Sequence, residues 1–156
     1  MATANDAQGD HAAQRDELIE NLPLDAVECA VLDIARRFFA TFARPDSQAW
    51  MGAMDAAERA FGADGGMIAH RIVKTIQMLR SSRTADFAFM NPDCACCRHK
   101  ITPSERYFVM ILHAQRRGRQ SESILNAIFV CGGGDPYGLV DAIAVLARDV
   151  SLAETV

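Results

Sequence analysis

The chain has 156 residues, half of them hydrophobic and 23% charged, with a formal net charge of −4. That length suits a single domain, which buries roughly 70% of its unfolded surface and can build a core without disulfides. No run approaches the ~18 apolar residues of a membrane span, and Met1 to Glu20 holds no apolar signal segment, so a cytoplasmic protein with no membrane association is expected.

Residues 1–20 are mostly small and polar and read as a disordered tail, leaving 21–156 as one helical domain. A first helix is expected from Leu24 or Asp25, with Asp25 and Glu28 placing negative charge in its first turn. Val27, Val31, Ile34, Phe38 and Phe42 recur on one helical face; Arg36 and Arg37 fall towards the far end, and Pro45 closes the segment. Ser47 looks like the N-cap of a second helix carrying Trp50, Met54, Ala57 and Phe61, with Gly62 as its terminator. A third helix opens at Asp64 or Gly65 and aligns Ile68, Ile72, Ile76 and Leu79. His70 points away from that stripe.

Ser81 to Lys100 is a long irregular connector, and such a loop inside a small domain is usually functional or held by something. Phe87, Phe89 and Met90 suggest that its first part folds back on the core. Thr102-Pro103-Ser104-Glu105 is a capping box with proline at the first helical position, so a fourth helix runs to about Arg117 and ends at Gly118. A fifth, from Ser121 or Ser123 to Val130, has Ile124, Leu125, Ile128 and Phe129 as its apolar face. Asp135-Pro136 then caps a last helix bearing Leu139, Ile143, Leu146 and Val150. The expectation is an all-α, compact array of about six helices with no convincing strand.

The chemistry concentrates at Cys94-Ala95-Cys96-Cys97-Arg98-His99, within the Cys-rich loop 91–100. Five cysteines are an odd number for a disulfide framework, and clustered cysteines in a reducing compartment more often bind metal or do redox chemistry. Cys94 and Cys97 form a CxxC pair, half of a tetrahedral Zn2+ site. Cys131, at a helix end beside Gly132-Gly133-Gly134, is the leading distant ligand; His99 is a further candidate, strained by its offset from Cys97. Cys96 adjoins Cys97 and is expected to point away from it, and Cys29 reads as a packed thiol. His113 lies at the edge of its helix's buried stripe. The loop is thus expected to be clasped by metal to the third, fourth and fifth helices.

Charge is laid out unevenly. Residues 1–70 carry five Arg against twelve Asp/Glu, residues 71–120 ten Lys/Arg against three acids, and residues 121–156 one Arg against five acids. The basic middle either pairs with the acidic flanks inside the fold or faces an anionic partner. Arg116, Arg117 and Arg119 sit at the turn between two helices, the outline of a helix–turn–helix nucleic-acid reader, though arginines also suit helix C-termini. No GxSxG, P-loop or HExxH motif is present. The sequence therefore favours a zinc-binding protein acting non-enzymatically in protein interaction or regulation, with a mainly structural metal and a protein partner. The alternatives are a nucleic-acid-binding transcriptional regulator using the basic 71–120 region, or a thiol/metal sensor.

Overall fold

A computed structural model describes residues 17–154, and helices dominate it. Helix α1 spans Ala26–Ala43, α2 Ala49–Phe61, α3 Gly65–Ser82, α4 Pro103–Arg116, α5 Gln120–Cys131 and α6 Tyr137–Ala153. Two short strands, β1 (Glu17–Leu18) and β2 (Lys100–Ile101), pair antiparallel with Glu17 opposite Ile101. These strands correct the strand-free expectation. Residues 17–20 are structured in this strand and the 3-10 turn Ile19–Asn21; the remainder of the expected tail lies outside the described residues.

Local signals account for most boundaries. Asp25 caps α1 through a capping box: its carboxylate accepts from the Glu28 amide at 2.9 Å, and Glu28 accepts from the Asp25 amide at 3.0 Å. The box at Thr102 and Glu105 starts α4 in the same way, with Pro103 at the first position. Two expected caps move by one residue. Pro45–Ser47 form a 3-10 turn, so Gln48 caps α2, in the left-handed region at φ 54°, and the Ser47 hydroxyl donates to the Arg44 carbonyl instead. At α6 the cap is Pro136, while the Asp135 carboxylate accepts from the Tyr137 amide at 2.9 Å.

The main core joins all six helices and the long loop. Ile68, Ile72, Ile76 and Leu79 of α3 are buried as their spacing requires, and so are Val31, Ile34 and Phe38 of α1. Helix α2 differs. Ala53, Ala56 and Ala57 form its buried stripe and Trp50 is half exposed, so small side chains bring α2 close to its neighbours. Gly65 belongs to that close approach, because a Cβ there would lie 2.7 Å from the Ala57 backbone.

Helix α5 corrects the expected apolar face. Ser123, Ala127, Val130 and Cys131 are buried, whereas Leu125, Ile128 and Phe129 are about half exposed at 51%, 49% and 53%. Of the expected face only Ile124 packs on the main core; the small residues mark the side that fits between its neighbours. Phe129 stacks on Tyr107 of α4, with ring centroids 5.2 Å apart.

The connector between α3 and α4 is fixed at its start by aromatics. Phe87 and Phe89 are buried against Phe39 of α1, with centroid separations of 4.5 and 5.7 Å, and Phe108 of α4 closes the cluster. Such aromatic pairs add about 0.5–1.5 kcal/mol each beyond their buried area. A second, smaller core of Leu32, Ile101 and Val109 lies under β2, with Ile19, Leu22 and Leu24 packed on it. The Cys-rich turn is suspended between these two anchored points.

Candidate metal centre

Residues 91–100 form a series of tight turns. The Cys94 amide donates to the Asn91 carbonyl (3.3 Å), the Arg98 amide to the Cys94 carbonyl (3.0 Å) and the Lys100 amide to the Cys97 carbonyl (2.9 Å). The Asn91 side chain also accepts from the Asp93 amide at 2.9 Å. This winding brings three thiols, Cys94, Cys96 and Cys97, together at the surface. The sulfurs stand 2.6 Å apart for Cys94 and Cys97, 3.3 Å for Cys94 and Cys96, and 3.8 Å for Cys96 and Cys97. All three lie within 4.8 Å of one another and can hold a metal ion.

Cys96 is therefore a member of the group, contrary to the expectation that adjacent cysteines diverge. That expectation suits extended or helical backbone and fails in stacked turns. His99 and Cys131 lie outside the group. His99 is exposed, its ring near Arg98 and its carbonyl accepting from the Ile19 amide. Cys131 is fully buried in the main core, bonded to Ser82 at the end of α3, and burial raises its thiol above the usual range.

A buried ion pair, which the sequence reading did not anticipate, holds the loop at both ends. Arg36, in the middle of α1 and 3% exposed, donates to both Glu105 carboxylate oxygens, at 2.7 and 3.0 Å. Its remaining donors reach the Arg98 carbonyl (2.9 Å) and the Lys100 carbonyl (2.6 Å), on the exit side of the cysteine turn. Glu105 in turn accepts from the Met90 amide (3.0 Å), on the entry side, and from the Thr102 amide (2.9 Å). The Thr102 hydroxyl donates to the Ala88 carbonyl at 2.8 Å. One buried, fully hydrogen-bonded pair thus gathers both ends of the loop. Arg37 adds an outer contact to Asp93 at 3.2 Å. The signal for Arg36 was its place four residues after Leu32, inside a broad apolar arc.

The thiols differ in acidity. Hydrogen bonds from the Cys97 and Cys96 thiols and from the Cys97 amide lower Cys94 to about 7, and the pairing with Cys94 pushes Cys97 up to about 12. Of these two, Cys94 gives up its proton first and offers its thiolate to a metal. Cys29, half-buried on α1, is raised by burial and by nearby Asp25 and Glu28.

The basic turn is engaged within the fold. Arg116 donates to Asp25 (2.6 Å), Glu28 (2.9 Å) and Glu154 (2.9 Å), and Arg117 to Glu28 (2.6 Å). His113 completes the cluster, its Nδ1 3.0 Å from Glu28. Burial alone would raise Glu28, but hydrogen bonds from Arg117, His113 and the Asp25 amide outweigh it and hold the carboxyl below the usual range. Arg119 is 58% exposed and faces Glu122 at 3.5 Å. Among the described residues, no helix is long and apolar enough to cross a membrane. Compared with protein-family models, curated proteins and solved structures, the chain matches none.

Proposed function

We propose that this chain is a non-enzymatic, zinc-binding helical protein that acts in protein interaction or regulation through an exposed three-thiolate centre. The observation that carries this reading is the convergence of Cys94, Cys96 and Cys97 on a turn held from both ends by Arg36 and Glu105. Zn2+ favours thiolates in a tetrahedral shell, and three sulfurs supply three of its positions. The fourth falls to water or to a donor from a partner. An open position at the protein surface suits a metal that enters and leaves more than the closed structural zinc expected from sequence. The Arg36–Glu105 clasp also supplies the ordering that a structural metal would otherwise provide. Two carboxylates that flank the cysteines, Asp93 and Glu105, pair with Arg37 and Arg36, which favours a role without acid–base chemistry.

The nucleic-acid alternative draws little support from Arg116 and Arg117, whose guanidiniums are committed to three carboxylates. The test is zinc titration of the reduced, full-length protein against a chromophoric chelator. One zinc per chain is expected, lost in Cys94→Ser, with helical circular dichroism unchanged when chelator strips the metal. A reduced protein that takes up no zinc refutes the reading.

A further inference from the structure

This inference rests on the reading of the three thiols as one centre, and concerns which ions fit it. A tetrahedral zinc about 2.3 Å from each sulfur spaces the sulfurs about 3.8 Å apart on every edge. Cys96 and Cys97 meet that spacing; the Cys94–Cys96 edge is shorter, at 3.3 Å, and the 2.6 Å approach of Cys94 to Cys97 is a thiol–thiol contact that either ion would open. An ion that binds three thiolates in a narrow pyramid draws them closer together. Trivalent arsenic and antimony do so because a lone pair fills the fourth direction, and three sulfurs complete the centre.

The surroundings agree with a three-donor site. No fourth His, Cys, Asp or Glu joins the group among the described residues. Asp93 is turned to Arg37, Glu105 to Arg36, and Cys131 is buried elsewhere in the core. Cys96 is exposed, and Cys94 and Cys97 are half-buried, so the mouth of the triad opens to solvent. The turn is wound by its own backbone hydrogen bonds and presents the sulfurs on one side without needing an ion to gather them.

We propose that Cys94, Cys96 and Cys97 form a binding site for a trivalent thiophilic metalloid, with arsenic(III) as the type. Arsenous acid, As(OH)3, is uncharged near neutral pH and reaches the triad without an anion-binding path. Three As–O bonds break and three As–S bonds form. Each thiol proton leaves with one hydroxyl, giving three waters, and arsenic stays trivalent, so no oxidant or reductant is needed. The product carries no net charge at the centre, whereas zinc on three thiolates keeps one negative charge.

The test is titration of the reduced, full-length protein with arsenite, read by native mass spectrometry and thiol counting, with Zn2+ as competitor. One arsenic per chain is expected, accompanied by the loss of three titratable thiols out of five. Removing even an outer-shell partner of a metal ligand typically costs 10–100-fold, so Cys96→Ser should weaken arsenic binding by about tenfold or more. Cys29→Ser should leave it unchanged. Loss of only two thiols, or wild-type affinity in Cys96→Ser, overturns the three-donor assignment. Displacement of arsenic by equimolar zinc, or zinc uptake without arsenic uptake, overturns this inference and leaves the zinc reading standing. Failure to bind either ion removes both.

Discussion

Replacing Arg36 by methionine tests the idea that one ion pair holds the metal loop. The side chain donates four hydrogen bonds, two to Glu105 and one each to the Arg98 and Lys100 carbonyls. Methionine keeps the aliphatic contact but leaves the Glu105 carboxylate, 0% exposed, without its cation. Removing one partner of a buried pair costs about 3–5 kcal/mol, most of it from the uncompensated charge left behind. With a urea m-value of about 2 kcal/mol/M for a domain of this size, the midpoint should fall by about 1.5–2.5 M. The double variant Arg36→Met with Glu105→Gln should recover part of that loss, because the stranded charge is gone. Zinc affinity should fall in both, since neither fixes the Arg98 and Lys100 carbonyls. A single-variant loss under about 1 kcal/mol, with unchanged zinc affinity, would refute the clasp.

Three further outcomes follow from other parts of the molecule. Gly134→Ala should cost about 1–3 kcal/mol, a few degrees of Tm, because a Cβ there would overlap the Ser82 carbonyl; a calorimetric scan checks it. Acid unfolding should show the depressed Glu28 carboxyl. Its contribution is complete above its ordinary pKa of 4.5 and is lost as pH falls through the lower folded value, so Glu28→Gln should flatten the acid limb of urea midpoints. In the metal-free protein, alkylation followed by peptide mapping should label Cys94 fastest, its rate rising as pH climbs through about 7, while Cys131 labels last.

Local signals in the sequence were good guides where short-range physics decides the outcome. The capping box at Thr102, the isoleucine stripe of α3 and the return of Phe87 and Phe89 to the core are all legible, because each depends on residues close in the chain. The α5 face was misread because packing there selects Ser123 and Ala127 for their size, and a hydrophobic pattern does not report size. The clasp was missed for a different reason: Arg36 and Glu105 are 69 positions apart, and an arginine pair on a helix ordinarily signals solvent. The metal centre falls between these cases. Its three cysteines were visible as a cluster, but the local turns that bring Cys96 into the group are not reported by spacing alone, and the burial of Cys131 in the main core depends on tertiary packing.

The three sulfurs come from positions 94, 96 and 97, so the whole donor set lies within four consecutive residues. Such a segment keeps its donors close together even when the chain around it is unfolded, and should retain part of its affinity there. A ligand that binds both states stabilises the native one only through the ratio of its two affinities. Metal loading should therefore shift the melting temperature far less than its binding strength would suggest. A nascent chain can capture its ion as soon as this short segment is exposed, before α1 and α4 have met to build the frame around it.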